Sequence, residues 1–420
     1  MTADRYVRIL IVTQYFWPES FRINDLALSL RARGHEVTVF TGKPNYPEGR
    51  FFPGYGFFGR VREDYHGVRV IRAPLIPRGS GGRIRLVLNF FSFALFGSLL
   101  APFRCDGTCD VILVYEPSPV TVGLPALILK CIKRAPVLFW VQDLWPETLS
   151  ATGVVKSKWA LKTVGQLVRF IYRHCDLILV QSRAFMAPVA ALGVAAQKMH
   201  YFPNSAEEVY RPLAIEPGQP SGPESLPGGF RVVFAGNIGA AQDFETILSA
   251  ADQLRAEHGI HWDIIGDGRM QGWVESEIRR RKLGDNVHLL GRHPLESMPR
   301  FFALADAMLV TLKRDPVFAL TIPSKIQSYL ACGRPIVAAL DGEGARVVTE
   351  SGAGIAAGAG DAGALAQGVL KLYRMPRPER EAMGRRGRAY FEQNFERELL
   401  LGRLEEWIRS ATEAHGNTRK

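Results

Sequence analysis

Short apolar runs alternate with longer amphipathic stretches along the first half of the chain. The runs have the length of buried strands, and the longer stretches repeat their apolar residues at intervals of three and four. Strands are predicted at Val7–Thr13, Glu36–Thr41, Val68–Ala73, Val111–Tyr115, Val137–Val141 and Leu177–Gln181. Helices are predicted at Asn24–Arg33 and at about 86–100, 120–133, 157–174 and 183–191. Such alternation indicates a parallel sheet covered by helices.

A proline- and glycine-rich stretch, Phe202–Gly229, interrupts this rhythm and indicates a linker. We therefore predict an N-terminal domain at 1–205, a linker at 206–229 and a C-terminal domain at 230–394. Strands of the second domain are predicted at Arg231–Ala235, Ile260–Ile265, Val287–Leu290, Ala307–Thr311 and Pro335–Ala339. Its helices are predicted at Asp243–His258, Trp273–Lys282, Met298–Ala305, Ser324–Cys332, Ala362–Arg374 and Pro378–Asn394, and a final amphipathic helix at 395–412.

Two such units in a chain of 420 residues predict an α/β protein of two tandem, doubly wound Rossmann-like domains. Sheets of this kind bind ligands beyond the carboxyl ends of their strands, so we expect the domains to face each other across a cleft. The hydrophobic share of 47% and the charged share of 22% exclude a disordered chain.

The net charge of +11 is partly concentrated in one segment of the first domain. Between Tyr65 and Cys105 the chain has no acidic residue, whereas it has six arginines there: Arg69, Arg72, Arg78, Arg83, Arg85 and Arg104. The segment 78–104, called the basic–aromatic segment below, also carries a phenylalanine-rich apolar stretch that looks too short to span a membrane. One interpretation is a buried helix; the other is an apolar face laid on an anionic membrane surface. No nucleic-acid-binding module accompanies the charge, so nucleic acid is not an expected partner.

The five cysteines are scattered, and no secretory leader precedes them, which predicts free thiols in the cytoplasm. Cys105 and Cys109 lie close together, but no histidine or second cysteine pair follows at zinc-site spacing. The sequence therefore predicts no metal site and no cofactor.

Short motifs of the second half occur in a familiar order. They are Phe234-Ala-Gly-Asn-Ile-Gly239, Ile264-Ile-Gly-Asp-Gly268, Val287-His-Leu-Leu-Gly291, Pro323-Ser-Lys325 and Ala331-Cys-Gly-Arg-Pro-Ile336. The first half adds Gln14-Tyr-Phe-Trp-Pro-Glu19, Arg22-Ile-Asn24, Pro44-Asn-Tyr-Pro47 and Gln142-Asp-Leu-Trp-Pro-Glu147. Together they resemble the family 4 glycosyltransferases of the GT-B fold. The first half looks most like the L-N-acetylfucosamine and fucose transferases of O-antigen and colanic-acid assembly.

This resemblance implies a retaining transferase that takes a UDP- or GDP-sugar in the second domain and a lipid-diphosphate-linked sugar in the first. It also implies that the final helix at 395–412 packs back on the first domain. A lipid-linked acceptor would place the protein at the inner face of the cytoplasmic membrane, attached peripherally through the basic–aromatic segment.

The leaving diphosphate needs fixed cations and helix N-termini. Lys325, beside Ser324 in the first turn of a predicted helix, suits this catalytic role, although a lysine there is often only solvated. The glycine-rich turn with Gly236 and Gly239 would allow phosphate or sugar close to the backbone, or is a plain strand–helix turn. The resemblance adds Asp267 and Arg292 as donor-binding residues.

The chain departs from the family at two points. Asn237 and Gln242 stand where most members have an arginine and a lysine, and Leu320 and Ser328 stand where members have paired glutamates. We expect Arg346 and Glu343, with the backbone of Gly344 and Ala345, to supply the missing contacts from a loop after the Pro335–Ala339 strand. The alternative is an ordinary glycine-rich loop. Loss of the glutamates would suit a 6-deoxy donor sugar.

Asp143 follows a predicted strand directly, at the edge of the sheet that faces ligands. It would orient the acceptor hydroxyl or stabilise positive charge on the donor carbon; alternatively it caps the turn at Trp145–Thr148. Glu19 and Arg22 lie in the first strand–helix loop, where Arg22 would bind an acceptor diphosphate or remain solvated. Tyr46 and Trp145 would stack on sugar rings, or belong to the core.

Two other functions remain open. A nucleotide-sugar 2-epimerase would use the same fold without an acceptor site, and a scaffold subunit of a polysaccharide assembly complex would have no activity. A nicotinamide-dependent enzyme is disfavoured, because Gln271 occupies the place of the third glycine of a dinucleotide fingerprint.

Overall fold

The computed structural model describes residues 6–79, 82–151, 155, 157–214 and 228–417. The chain divides into two compact units: unit 1 is Met1–Phe202 with Leu401–Lys420, and unit 2 is Pro203–Leu400. The predicted linker at 206–229 falls largely on residues 215–227, which lie outside the described residues, as do residues 80 and 81 of the basic–aromatic segment.

Unit 1 contains an eight-stranded sheet of order β3-β4-β2-β1-β5-β6-β7-β8. Its strands are β1 (Arg8–Val12), β2 (Glu36–Gly42), β3 (Arg62–Tyr65), β4 (Val68–Ala73), β5 (Val111–Glu116), β6 (Val137–Val141), β7 (Leu177–Val180) and β8 (Met199–Tyr201). Its helices are α1 (Arg22–Ala32), α2 (Arg83–Arg104), α3 (Gly123–Lys133), α4 (Glu147–Ala151), α5 (Lys158–His174) and α6 (Met186–Ala191). All strands pair in parallel except β3, which is antiparallel to β4.

Unit 2 contains a six-stranded parallel sheet of order β11-β10-β9-β12-β13-β14. Its strands are β9 (Phe230–Ala235), β10 (Ile260–Ile265), β11 (Val287–Gly291), β12 (Ala307–Thr311), β13 (Ile336–Ala339) and β14 (Gly354–Ala357). Its helices are α7 (Phe244–Gln253), α8 (Gln271–Arg281), α9 (Met298–Leu304), α10 (Pro316–Ala319), α11 (Ser324–Ala331), α12 (Gly342–Glu350), α13 (Ala362–Arg374) and α14 (Arg377–Asn394). The last helix, α15 (Arg397–Asn417), belongs to unit 1 from Leu401 onwards.

The pattern of apolar residues missed three strands, and each lies at the edge of a sheet: β3, β8 and β14. The two edge strands of unit 1 have no fully buried residue, and β3 reads Arg-Glu-Asp-Tyr. An edge strand needs no continuous apolar run, and charged residues there block pairing with other chains. Hydrophobicity alone therefore could not reveal these strands.

Helix α2 is longer than the predicted 86–100 and has 22 residues. By length and composition Ile84–Arg104 is apolar enough to cross a membrane, which corrects the expectation that the segment is too short. One face of α2 nevertheless packs inside unit 1, where Phe93 lies against Phe40 at a ring distance of 6.3 Å. The buried Asn89 accepts a hydrogen bond from Gln14 at 2.8 Å and donates one to the carbonyl of Ile76 at 2.7 Å. Helix α2 is thus part of the domain, with its other face exposed.

The end of α15 is held within unit 1 by one carboxylate and one indole. Glu405 accepts hydrogen bonds from Arg33 at 3.1 Å and contacts His35 at 3.0 Å. Trp407 packs its ring against His200 and Phe202, with centroid distances of 4.9 and 5.7 Å.

Candidate functional site

Three glycine-containing loops meet where β9, β10 and β11 end in unit 2. The amide of Gly236 donates to the carbonyl of Ile265 at 2.9 Å, and the amide of Gly266 donates to that of Gly291 at 2.8 Å. A Cβ atom on Gly266 would lie 2.0 Å from the Gly236 carbonyl oxygen, and its φ of +137° also favours glycine. The loops can approach this closely only because these positions carry no side chain.

Substitution of Gly266 by alanine is expected to destabilise the protein strongly. The new Cβ would collide with fixed backbone rather than with a flexible side chain, so we expect a loss of roughly 2 kcal/mol or more in the free energy of unfolding. Gly272→Ala is the matched control, since that helical glycine has nothing within 4 Å of its Cβ position, and alanine favours helix by up to about 1 kcal/mol. Denaturant titration measures both; equal stability of the two variants would contradict the prediction.

Lys325 reaches this edge from the first turn of α11. Its Nζ donates to Oε1 of Gln242 at 2.6 Å and lies 4.8 Å from the centre of the Phe234 ring. A Cβ on Gly236 would be 2.7 Å from Cε of Lys325, so the lysine runs directly along the glycine turn. Burial lowers the pKa of Lys325 to about 8. The structure therefore brings together Lys325, Gly236 and Gln242, three of the residues predicted to bind the donor.

The side-chain partner of this ammonium is the neutral amide of Gln242, and among the described residues no carboxylate forms an ion pair with it. Lys43 in unit 1 is buried as well, but its ammonium donates to two backbone carbonyls, those of Gly59 and Arg60, whereas that of Lys325 donates to one amide oxygen. A largely buried cation without a counter-charge favours an anionic ligand.

The other predicted residues of the glycine loops lie at the same edge. The side chain of Asn237 packs against two neighbouring glycines. A Cβ atom on Gly268 would lie 2.6 Å from Oδ1 of Asn237, and a Cβ atom on Gly239 would lie 2.6 Å from its Nδ2. Arg292 and Asp267 approach to 3.8 Å with exposed side chains. Such an exposed pair contributes little to stability and is available to a ligand.

The glycine-rich segment after β13 is a helix, α12, and not the predicted loop. Gly342 has a φ of +67°, and a Cβ there would lie 1.9 Å from the Ala319 carbonyl oxygen. Gly344 packs near Pro323, which precedes α11, since its Cβ would be 3.1 Å from the Pro323 ring. The glycines thus allow close packing that brings the N-termini of α11 and α12, with Ser324 and Ala345 in their first turns, to one place. Two helix N-termini side by side attract negative charge.

Arg346, the predicted phosphate ligand, is paired with carboxylates in this structure. Within α12 its guanidinium donates to both carboxylate oxygens of Glu343, at 3.1 and 2.9 Å, and also to Glu350. The hydrogen bonds to Glu343 raise the pKa of Arg346. Glu343 is engaged in turn, so the charges of this pair offset each other in the structure. Their contact with a donor stays a prediction.

In unit 1 two carboxyl groups lie at the ends of neighbouring strands. Glu116 ends β5, and Asp143 follows β6; Oε2 of Glu116 accepts the backbone amide of Asp143 at 3.5 Å. Burial raises the pKa of Asp143 to about 6, opposed by a hydrogen bond from the Ser118 hydroxyl. Glu116 is fully buried, and burial together with the charge of Asp143 raises its pKa well above the usual range. Burial thus raises the pKa of both neighbouring carboxyl groups, and perturbed acid pairs of this kind are typical of functional sites.

Ser118 connects this pair to Trp145. Its Oγ accepts a hydrogen bond from the Trp145 indole at 2.8 Å, and its φ of +98° is unusual for a residue with a side chain. Such backbone conformations are frequent at functional sites. Trp145 is itself 6% exposed and packs against Phe90, so in this structure it supports Ser118 and offers little surface for stacking on a sugar.

Glu19 is buried at 1% exposure, and its carboxylate holds the loop after β2. One oxygen accepts the amides of Asn45 and Tyr46 at 2.7 and 2.8 Å, and the other accepts that of Phe16 at 3.3 Å. Burial raises its pKa to about 7. Its predicted contact with the acceptor stays a prediction; the structure gives it a supporting role.

Tyr46 is 38% exposed and lies in a cluster of aromatic and cationic side chains. The Arg78 guanidinium stands 5.0 Å from the Tyr46 ring centre, and the Phe21 ring is 5.3 Å away. Arg22 follows Phe21 as the first residue of α1, half-buried. The structure therefore places Tyr46 beside Arg78 and beside Phe21, the residue that precedes Arg22.

Sequence reasoning missed Glu116 and Arg78 as members of these groups. A glutamate that ends an otherwise apolar strand was an available signal for Glu116, because a buried carboxyl group needs a reason. Arg78 was counted only as part of the basic–aromatic segment.

Family models match both halves of the chain. A model described as "Glycosyl transferase 4-like domain" matches residues 20–205, and one described as "Glycosyl transferases group 1" matches residues 229–375. Among curated relatives, WcaI of Escherichia coli, named for a glycosyl transferase of colanic acid biosynthesis, is 27% identical over 72% of this chain and 75% of its own length. WbjE of Pseudomonas aeruginosa, named for a glycosyltransferase, is 28% identical over 79% of this chain and 82% of its own length.

Solved structures share the fold at low identity. Sucrose-phosphate synthase from Thermosynechococcus elongatus has a TM-score of 0.75 at 18% identity, covering 98% of this chain and 100% of that one. HepE of Anabaena in complex with UDP has a TM-score of 0.69 at 16% identity, covering 96% of this chain and 100% of that one.

Proposed function

Since the chain belongs to the glycosyltransferases, carrying the two domains of that class, we propose that it transfers a sugar from a nucleoside-diphosphate donor to a lipid-diphosphate-linked glycan in cell-surface polysaccharide synthesis. It is a transferase enzyme of the GT-B fold, as predicted. The observation that carries the proposal is Lys325, a buried cation that donates to a neutral amide and lies beside a glycine turn and paired helix N-termini.

Unit 2 supplies the donor half of the proposed reaction. As the sugar leaves the diphosphate, negative charge builds on the phosphate oxygens, and Lys325 with the amides of α11 and α12 would stabilise it. This arrangement requires no metal ion. The related structures with UDP and UDP-glucose support a nucleotide-sugar donor for this chain, UDP- or GDP-linked.

A 6-deoxy or N-acetylamino sugar, such as L-N-acetylfucosamine, is the proposed donor sugar. Leu320 and Ser328 occupy positions where the resembling family has glutamates, and Ser328 uses its hydroxyl to donate to the Ser324 carbonyl of its own helix at 3.3 Å. A donor site with fewer polar side chains to bind sugar hydroxyls favours a sugar that has fewer hydroxyls. The names of the relatives support surface polysaccharide as the product.

Unit 1 supplies the acceptor half. The Asp143 carboxylate would orient the acceptor hydroxyl or stabilise positive charge on the donor carbon; both roles require its ionised form. We propose transfer with retention of configuration, in which the departing phosphate oxygen takes the acceptor proton.

The functional test is incubation of the full chain with UDP- and GDP-sugars, with and without a lipid-diphosphate sugar. Transfer to the lipid is expected. Interconversion of the donor sugar without acceptor would indicate an epimerase, and no turnover with any donor would favour a scaffold subunit.

The exposed face of α2 supports attachment to the membrane that would hold such an acceptor. Large apolar side chains recur every three or four residues along it and are 44–82% exposed: Ile84, Leu88, Phe91, Leu95, Leu99 and Phe103. A row of this spacing is one continuous helix face. Arg85 is exposed on the same helix, whose segment has no acidic residue. We propose peripheral attachment of α2 to the anionic inner face of the cytoplasmic membrane.

The double substitution Phe91→Ser and Leu95→Ser is expected to lower binding to anionic vesicles by about a hundredfold, because each buried apolar side chain contributes roughly 1.5 kcal/mol or more. Leu295→Ser is the matched control, an apolar residue 44% exposed in unit 2. Vesicle sedimentation measures binding. Equal binding to vesicles with and without anionic lipid would reject the electrostatic part of the attachment.

A further inference from the structure

Helix α5 carries a second face of exposed aromatic and basic side chains. Trp159 is 77% exposed and Phe170 is 49% exposed, whereas Val168, Ile171 and Tyr172 on the opposite side are buried. Exposed basic residues lie between and beside the two aromatic rings: Lys158, Lys162, Arg169 and Arg173. Such high exposure is unusual for tryptophan, because its large apolar ring is normally mostly buried. The face therefore suits a surface that accepts both rings and positive charge.

The charge of this face is not balanced nearby. The sequence has no acidic residue between Glu147 and Asp176. Within the described parts of the chain, none of the four basic side chains of α5 forms an ion pair with a carboxylate. The positive charge of these four side chains can therefore attract a negatively charged partner outside the chain.

The connections of the sheet place α5 on the same side as α2. The chain passes from β4 to β5, from β5 to β6 and from β6 to β7, always in one direction across the sheet. Right-handed crossovers in one direction put the connecting helices on one face. Helix α3 packs against both α2 and α5, and its Ile132 is 50% exposed between them. Apolar side chains are therefore exposed on three adjacent helices of one layer.

We propose that α5 is a second membrane contact, which lays Trp159 and Phe170 on an anionic bilayer beside α2. Tryptophan favours the level of the head groups, since its ring is apolar and its indole N–H is polar. Lysine and arginine reach phosphates from there while their stems cover apolar surface. Contact through two helices fixes the orientation of unit 1 on the bilayer. Contact through one helix would allow unit 1 to rotate about the axis of that helix.

A second copy of the chain fits this face poorly. A twofold contact would set the four cations of α5 against the same four of the partner, and like charges across an interface are unfavourable. An anionic lipid surface complements them along the whole helix.

The proposal rests on the membrane attachment proposed for α2, and the test separates the two. Full-length protein is sedimented with vesicles of phosphatidylcholine containing phosphatidylglycerol. Lys162→Glu with Arg169→Glu is expected to lower the partition coefficient at least tenfold, since each basic residue contributes about fivefold near an anionic surface. Trp159→Ala is expected to reduce quenching of tryptophan fluorescence by brominated lipid. Arg279→Glu, an exposed charge on α8 of unit 2, is the control and should bind as the original chain does.

The outcomes are distinct. If the α5 variants bind like the control while Phe91→Ser with Leu95→Ser is released, α5 is not a contact, and the role of α2 stands. If neither set changes binding, the membrane attachment itself is wrong. If the α5 variants instead change the sedimentation equilibrium mass without lipid, the partner is a second copy, and the proposal is overturned. Circular dichroism verifies that these surface substitutions leave the fold intact.

Discussion

Replacement of Lys325 by glutamine is expected to lower kcat/KM for sugar transfer by about 10²- to 10³-fold, the usual loss when one preorganised donor to a developing anion is removed. Glutamine keeps much of the side-chain length beside Gly236 but removes the charge. Lys371→Gln, on the exposed side of α13 in the same unit, is the matched control and should leave the rate unchanged. Steady-state release of the nucleoside diphosphate measures both variants. Near-normal turnover of Lys325→Gln would remove the central residue of the proposed donor site.

Two further measurements separate loss of charge from loss of fold. Burial lowers the pKa of Lys325 to about 8, so kcat/KM of the original chain should fall as pH rises through about 8, where the cation is lost. The substitution should abolish this alkaline limb. Since burial disfavours the cation in the empty protein, Lys325→Gln should be at least as stable as the original chain without donor. Its melting temperature should, however, no longer rise on addition of UDP or GDP.

Replacement of Asp143 by asparagine is expected to lower transfer by about 10²-fold or more, because the amide has the shape of the carboxylate without its charge. Donor binding measured by calorimetry should be retained, because the substitution lies in unit 1. Asp106→Asn is the control: that carboxylate pairs with Arg69 at the surface of the same unit and is 54% exposed. Full activity of Asp143→Asn would assign the aspartate to structure alone.

The pKa of Asp143 fixes the sign of two pH effects. It is raised from 3.8 to about 6 by burial, so activity of the original chain should fall as pH decreases through about 6, and Asp143→Asn should lack this acidic limb. In the folded protein a raised carboxyl pKa contributes stability below pH 3.8, which is lost as pH rises through 6. Above pH 6 the asparagine variant should therefore be more stable, by on the order of 1–3 kcal/mol. Denaturant titration at pH 5 and pH 8 would reveal the difference; a less stable variant at pH 8 would contradict it.

A variant Asp143→Asn that is more stable but slower would show that the carboxylate serves the reaction and lowers the stability of the fold. Glu116 gives a useful comparison. Burial and the charge of Asp143 raise the pKa of Glu116, because both disfavour a second negative charge beside Asp143.

The order of strands and helices could largely be predicted from the sequence, because the alternation of short apolar runs with amphipathic stretches is a local property of the chain. Strands in the middle of both sheets, such as β6 and β12, were predicted with their observed bounds. Three of the four edge strands, β3, β8 and β14, were missed because an edge strand needs no continuous apolar run. Helix α12 escaped for another reason: Gly342 and Gly344 resemble a loop in sequence but serve close packing against Ala319 and Pro323.

The positions of the candidate site residues were also within reach of the sequence, since strand ends and helix starts in a parallel sheet gather at one edge. Lys325, Gly236 and Gln242 were predicted from a helix start, a strand–helix turn and the family resemblance, and they lie together. Glu19 and Trp145 lie at such positions too, but the structure shows both buried, supporting neighbouring loops through hydrogen bonds. Position along the chain indicates where a side chain is attached and leaves open whether it is accessible.

By itself the sequence determined that this protein has two parallel-sheet domains with cations and glycines at the strand ends. The spacing of apolar residues and the residue types of the loops are both local features of the sequence. Only the tertiary structure decided the surroundings of Lys325. Arg346 is held by two glutamates of its own helix, a local contact, whereas Lys325 meets a neutral amide and an aromatic ring from distant parts of the chain. Electrostatic free energy depends on the distance between charges and on their exclusion from water, and for Lys325 both arise only when those parts are folded together.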